Sequence, residues 1–272
     1  MTDEERPWTD GYASPSATMA AARERVAAGW LAHESVDFFF DFSSNNTYFA
    51  FFMVRELCRR VGAKLNLCPL YLGAVFKSRG HSVSTPPFAT PRRLLPFHPF
   101  ATPALTVGTM QVEDHGRIKL RYLAQDHKRW TARTGLPFKH PPASMFPIRT
   151  ALPMRMFIRA EQQGRGEAFA EAVFQAYWER NEDISDPLVL GAVTESVEGL
   201  SADELIAYAE SEDGKHALAE ATDAAMERGV FGAPQFLVGE ELFWGKDRLD
   251  FVEDMLVMGE IREKGLSVQF KL

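Results

Sequence analysis

The sequence predicts an α/β protein, and the order of its elements is the reason. A strand, a helix and a second strand are expected within residues 36–72, and helical patterns dominate from about Lys119 to Arg228. A β-hairpin and a closing helix are expected from Gln235 onward. A β-α-β unit, a long helical insertion and a β-β-α unit together predict a thioredoxin-like fold with an inserted α-helical domain.

The first predicted unit begins with Val36–Asp41, a short apolar run of strand length and aromatic content. Residues Ser43–Asn46 supply N-cap side chains, and the helix that follows is expected to end at Gly62. Leu65–Leu70 is predicted to be a second strand, bounded by Pro69. This order implies a parallel strand pair joined by a right-handed crossover.

Closely spaced prolines from Pro86 to Pro103 predict an irregular segment before the helical insertion. Its interleaved aromatic side chains fit either a lid over a ligand or a surface loop held by aromatic anchors. Within the insertion, Phe169, Val173 and Tyr177 lie at helical spacing and predict one apolar face.

Capping signals mark the later elements. Ser201 with Glu204 has the spacing of a capping box. Gln235–Val238, a turn at Gly239 and a second short strand predict the hairpin. Asp247 is predicted to begin a final helix that runs to about Lys264.

These elements predict five segments of the chain. They are an N-terminal extension at 1–35, a discontinuous thioredoxin-like domain at 36–72 and 229–264, an inserted helical domain with the proline-rich loop at 73–228, and a C-terminal tail at 265–272. The extension has an Ala-rich helical pattern, which is compatible with an arm on a partner subunit.

Charge and cysteine content limit the partners and the cellular compartment that can be expected for this protein. The formal net charge is −7 and the pI is near 5.6, which disfavours nucleic acid as a partner. Cys58 and Cys68 have neither dithiol nor zinc-ligand spacing, so a reducing compartment, the cytoplasm, is expected. No apolar stretch has the length of a membrane span.

Sequence motifs exclude several enzyme classes. The seven histidines include no paired metal-ligand spacing, so no metal site is expected. A nucleophile elbow, a P-loop and a dinucleotide-binding glycine turn are also absent from the sequence. Hydrolase triads, NTPases and Rossmann dehydrogenases are therefore disfavoured.

Ser44 is the main candidate for chemistry. It lies where the first strand ends and the first helix begins, beside unpaired backbone N–H groups and the positive end of the helix dipole. An anion would be stabilised at this position. A serine before a helix is also an ordinary N-cap, and both interpretations remain open at this point.

Several motifs carry a resemblance to a known family. The matching stretches are Phe40–Tyr48, Leu72–Lys77, Lys119–Pro137, Phe146–Pro147, Asp183–Leu190, Gly229–Phe236 and Phe243–Leu249. On these residues the chain resembles the 2-hydroxychromene-2-carboxylate isomerases and the kappa-class glutathione transferases, within the DsbA-like branch. The last two stretches are the most specific, because their glycine, proline and aromatic positions agree together.

The resemblance implies glutathione as cofactor and a catalytic role for Ser44. Ser44–Thr47 then occupies the place of the C-x-x-C motif in redox relatives, and the Ser44 hydroxyl would stabilise the glutathione thiolate. Pro234 is expected to follow a cis peptide bond, with Ala233 pairing its backbone with the cysteinyl backbone of glutathione. An ordinary trans bond before Pro234 is the alternative.

Four further residues are implied as cofactor ligands. Asp247 resembles the ligand of the γ-glutamyl amine, with helix capping as its alternative role. Lys77 is the candidate cation for the glycyl or substrate carboxylate, or else a solvated surface charge. Two candidates depart from the family pattern: His81 stands where the family has Asn, and Lys246 where the isomerases have a neutral polar residue. The residue after Ser44 is also a departure, since the family usually has Pro there and this sequence has Asn45.

The expected function is a glutathione-dependent isomerase of an aromatic 2-hydroxychromene-2-carboxylate-like α-keto acid. The partner would be a small aromatic carboxylate, and the family implies a homodimer. A kappa-type glutathione transferase and a non-catalytic thioredoxin-fold binding protein are the alternatives.

Overall fold

A computed structural model describes residues 31–78 and 112–259. Most of the predicted extension at 1–35, the proline-rich segment, His81 and the tail at 265–272 lie outside these residues.

The described residues form strands and helices in the following order. The strands are β1 (Ser35–Phe40), β2 (Lys64–Pro69), β3 (Gln235–Val238) and β4 (Glu241–Trp244). The helices are α1 (Asn45–Val61), α2 (Leu72–Ser78), α3 (Val112–Thr134), α4 (Ala151–Gln162), α5 (Gly166–Trp178), α6 (Pro187–Glu195), α7 (Ala202–Glu210), α8 (Glu212–Glu227) and α9 (Leu249–Met258), with a 3-10 turn at Lys246–Arg248.

The four strands form one mixed sheet in the order β2-β1-β3-β4. Strand β1 is parallel to β2 and antiparallel to β3, and β3 forms a hairpin with β4. The predicted parallel pair and hairpin are confirmed. Phe38 of β1 stacks on Phe236 of β3 with ring centroids 5.2 Å apart, and both side chains are fully buried. The aromatic content that predicted β1 therefore forms part of the core.

Helix α1 has both of its predicted ends. Its N-cap is Ser44, and it ends at Gly62, whose φ of 82° places it in the left-handed region that glycine adopts without a Cβ clash. Tyr48, Phe49 and Val54 lie on the buried side of the helix. This end geometry fixes the point at which the chain leaves β1.

The inserted region is helical, as predicted. Phe169, Val173 and Tyr177 of α5 are fully buried, which confirms the apolar face read from their spacing. Ser201 caps α7 by accepting a hydrogen bond from the Glu204 N–H at 3.4 Å. The carboxylate of Glu204 does not complete the predicted capping box; it accepts hydrogen bonds instead from Arg159 of α4 and from Gln163, the residue that follows α4.

The chain divides into two compact units. The sheet unit comprises the described residues of Met1–Leu70 and Asp223–Leu272, and the helical unit those of Tyr71–Thr222. The strands, α1 and α9 belong to the first unit, and α2 to α7 to the second. This arrangement confirms the α/β class. None of the helices described is long and apolar enough to cross a membrane.

The final helix differs from its prediction. Residues Lys246–Arg248 form a 3-10 turn, so Asp247 precedes α9 instead of beginning it. The helix ends at Gly259, well before the predicted Lys264, because Gly259 adopts a φ of 75° and its N–H bonds to the Met255 carbonyl. A left-handed glycine is a common helix end.

Candidate active site

The turn between β1 and α1 is organised by Asp41. This side chain is fully buried, and its Oδ1 accepts hydrogen bonds from the N–H and the hydroxyl of Ser43, each at 2.8 Å. The Ser44 N–H donates to the Asp41 carbonyl at 3.2 Å. Sequence reasoning had placed Asp41 at the end of the first strand and in a matching stretch, but had given its side chain no role. An aspartate two residues before a serine is a turn signal that could have identified this role.

Ser44 lies half-buried at the amino end of α1. Its Oγ accepts a hydrogen bond from the Thr47 N–H at 3.3 Å, which is the N-cap interaction. The same hydroxyl donates to the Ala233 carbonyl at 3.2 Å. The first-turn N–H groups of α1 and its dipole make this position favourable for an anion.

The segment before β3 meets Ser44 through Ala233. The Ala233–Pro234 peptide bond is cis, as the resemblance implied. Ala233 is half-buried and Pro234 is buried, and the Pro234 carbonyl accepts a hydrogen bond from the Gly245 N–H at 3.0 Å. The backbone of Ala233 is thus held beside the helix terminus.

Lys246 joins the same end of α1. Its side chain is only 7% exposed, and its Nζ donates a hydrogen bond to Asn46 Oδ1 at 2.7 Å. Asn46 is the second residue of α1. Sequence reasoning had proposed Lys246 but had missed Asn46, because a side-chain contact across 200 residues leaves no local pattern.

Asp247 is exposed in the 3-10 turn, and its Oδ2 lies 2.9 Å from Arg248 Nη1. Neither the turn nor α9 has a side-chain cap hydrogen bond. The capping alternative for Asp247 is therefore wrong, and its carboxylate faces solvent beside Arg248.

The two remaining candidates, Lys77 and His81, are not among the described residues of the sheet unit that form this site. Lys77 lies at the end of α2 in the helical unit and is exposed. His81 falls outside the described residues.

An aromatic pair flanks the Ala233 segment. The rings of Phe231 and Trp244 meet edge to face with centroids 5.3 Å apart, and their exposed fractions are 38% and 58%. Both residues belonged to matching motifs, but sequence reasoning gave neither a role. Exposed aromatic residues beside a polar site can contact an apolar ligand.

Comparisons with known proteins identify the family and the fold of this chain. Residues 35–257 match the family model described as the DSBA-like thioredoxin domain. A 2-hydroxychromene-2-carboxylate isomerase of Sphingobium xenophagum is 28% identical over 224 residues, covering 82% of this chain and 98% of that protein. A glutathione S-transferase kappa 2 of Caenorhabditis elegans is 28% identical over 163 residues, covering 54% of this chain and 72% of that protein.

A solved structure extends the similarity to the fold. The structure of a 2-hydroxychromene-2-carboxylate isomerase aligns with a TM-score of 0.63 and 25% identity, covering 81% of this chain and 93% of that one. The resemblance drawn from the sequence motifs is confirmed, as is the thioredoxin-like fold. The chain belongs to the family of DSBA-like thioredoxin domains.

Proposed function

We propose that this protein is a glutathione-dependent isomerase of an aromatic α-keto acid of the 2-hydroxychromene-2-carboxylate type. The similarity to isomerases over most of the chain supports the reaction class. The hydrogen bond from Ser44 to Ala233 supports the mechanism, because it joins the amino end of α1 to the backbone expected to hold the tripeptide.

Ser44 acts on the sulfur of glutathione. A cysteinyl thiol has an ordinary pKa of about 8.5, and the positive end of a helix lowers such a pKa by stabilising the thiolate. A hydroxyl that donates to the thiolate adds to this effect. Ser44 has both features, because it is the N-cap of α1.

The Ser44 hydroxyl has a single proton, and the structure directs it to the Ala233 carbonyl. Glutathione would bind as an added strand, with its cysteinyl N–H donating to that carbonyl. The hydroxyl is then released to donate to the sulfur. Binding of the backbone and stabilisation of the thiolate are therefore one coupled exchange of hydrogen bonds.

The chemistry is reversible nucleophilic catalysis. The thiolate adds to a conjugated carbon of the substrate, and the carbon–carbon double bond becomes a single bond that can rotate. Elimination re-forms the double bond in the other geometry and returns the thiolate. The substrate and product have equal mass, and glutathione is not consumed.

The partly exposed rings of Phe231 and Trp244 next to the Ala233 segment support an aromatic substrate. Lys77 and His81 remain candidates for a carboxylate of glutathione or substrate, with Lys246 and Asp247 as ligands of the tripeptide. The proposal also includes a cytoplasmic homodimer and the domain division at 36–72 and 229–264 around 73–228.

The test combines calorimetry with product analysis. Titration with glutathione should give saturable binding, and a ligand that binds only the folded state should also raise the melting temperature. With an isomerase substrate, a product of equal mass that forms only when glutathione is present is expected. Absence of glutathione binding at millimolar concentration would contradict the proposal and favour a non-catalytic binding protein.

A kappa-type transferase is the second candidate, and the similarity to the Caenorhabditis elegans protein favours it. Here the thiolate attacks an electrophile, and the conjugate leaves as product. A product whose mass increases by that of glutathione would decide for transfer.

A further inference from the structure

Gln235 stands directly after Pro234 and is fully buried. Its Oε1 accepts two backbone hydrogen bonds, from the Phe231 N–H at 2.7 Å and from the Gly232 N–H at 2.9 Å. An N–H group can only donate, so these two contacts settle which end of the amide faces the loop. The side-chain oxygen therefore closes a ring over residues 231–235.

The hydrogen bonds to Gln235 Oε1 take the place of β-sheet pairing for the residues before β3. Strand β3 begins at Gln235, so the preceding residues lie outside the sheet pairing, and their N–H groups need another acceptor. Gly232 is buried, which makes the acceptor on Gln235 more important there. On the other side, the Pro234 carbonyl is held by the Gly245 N–H at 3.0 Å. Ala233 lies between these two anchors.

The other end of the same amide has no partner. Gln235 Nε2 is buried and makes no hydrogen bond to any part of the chain that the structure describes. Leaving a buried donor unpaired costs free energy, and an apolar side chain of similar length would avoid this cost. The structural contribution of this side chain therefore comes from its oxygen, which accepts the hydrogen bonds that hold residues 231–232.

We propose that Gln235 is a positioning residue that sets the Ala233 backbone for glutathione, an inference that rests on the proposed function. It acts through Ala233, whose carbonyl already meets the Ser44 hydroxyl at 3.2 Å. If residues 231–232 were released, that carbonyl would lose its fixed direction. Glutathione would then have to order the loop as it binds, and its affinity would fall.

The test compares three substitutions of Gln235. Gln235→Met keeps the length and removes the acceptor, whereas Gln235→Glu keeps an acceptor oxygen in either protonation state. Gln235→Asn shortens the side chain by one methylene, so its oxygen no longer reaches the Phe231 and Gly232 N–H groups. It replaces Gln235→Met in the test if the Met protein does not fold. We expect glutathione to bind about tenfold more weakly to the Met protein, the loss expected for one or two net hydrogen bonds. Gln235→Glu should restore most of the affinity for glutathione.

A stability control separates positioning from a general structural role. Val61→Ala removes buried methyl groups at the opposite end of α1 from Ser44, so it lowers stability without touching the loop. Equal glutathione affinities for Gln235→Met and Val61→Ala, at matched melting temperatures, would overturn the proposal.

Backbone amide exchange gives a second readout that does not need glutathione. Exchange at Phe231 and Gly232 should be faster in Gln235→Met and should return to the original rate in Gln235→Glu, since these N–H groups bond to Oε1. If the unsubstituted protein fails to bind glutathione, the proposed function fails, and the exchange rates then decide this inference. Unchanged rates would refute it.

Discussion

The hydroxyl of Ser44 donates to the carbonyl of Ala233 at 3.2 Å, although 189 residues separate them in the chain. This contact joins the amino end of α1 to the segment that enters β3. It brings together the two parts of the site that the sequence had indicated separately, a serine at a helix start and an alanine before a proline. Predictions about the chemistry can therefore be made at single residues.

Replacing Ser44 should abolish most of the activity. In Ser44→Ala the thiolate loses its hydroxyl donor, and we expect kcat/KM to fall by about 100-fold, the effect of removing one donor to a developing anion. The helix also loses its N-cap, which costs about 1 kcal/mol of stability. Steady-state kinetics with glutathione at saturation measure the first effect, and thermal unfolding measures the second.

The matched control for this change is Ser201→Ala. Ser201 caps α7 through the same kind of side-chain acceptor, with the Glu204 N–H at 3.4 Å. Its loss should destabilise the protein by a similar amount and leave kcat/KM unchanged. Equal losses of activity in the two proteins would mean that Ser44 serves only as a cap.

The secondary structure around the candidate site could largely be predicted from local sequence patterns. A serine before an apolar helix and a glycine after it identified the ends of α1, because caps depend on neighbouring backbone groups. Alternating turn and apolar residues identified the β3–β4 hairpin in the same way. The place of Ser44 in the site followed from the family motif.

Contacts that depend on side-chain direction could not be predicted. The hydrogen bond between Lys246 and Asn46 joins residues 200 positions apart. The hydrogen bonds from Phe231 and Gly232 to Gln235 are local, but no capping or turn motif in the sequence identified them. The end of α9 was also missed. Gly259 is a helix stop signal in the sequence, but the prediction gave it no weight and continued the helix through the mostly charged residues that follow.

Removing the charge of Lys246 should weaken glutathione binding. The ammonium bonds to Asn46 near the amino end of α1, so it adds positive charge where the sulfur anion is proposed to lie. In Lys246→Met we expect the Kd for glutathione to rise about tenfold, the scale of one hydrogen bond to a charged group. Calorimetry measures this Kd. Lys64→Met, which removes the same charge from an exposed lysine, is the control. Equal affinities in both proteins would remove Lys246 from the site.

Glu204 should make folding stability sensitive to acid. Hydrogen bonds from Arg159 and Gln163 stabilise its carboxylate and hold its pKa below the ordinary value of 4.5. The unfolded chain binds the proton more readily, so this contribution to stability is complete above about pH 4.5 and is lost as pH falls through the lowered pKa. The contribution is small, because the carboxylate is exposed to solvent.

Urea unfolding between pH 7 and pH 3 measures this effect. The difference in stability between the unsubstituted protein and Glu204→Gln should shrink as the pH falls below about 4.5. A constant difference for Glu204→Gln would mean that the Arg159 contact does not persist in solution.

Asp247 can be tested with a change in the ligand. If its carboxylate binds the γ-glutamyl amine, Asp247→Asn should weaken glutathione binding, since a charge-assisted hydrogen bond is lost. The same substitution should not weaken binding of glutaryl-cysteinyl-glycine, which lacks that amine. Loss of the Arg248 contact at 2.9 Å cannot produce this difference, because it is the same for both ligands. Equal losses with the two ligands would place the amine elsewhere, and the nearby Asp250→Asn controls for a general change of surface charge.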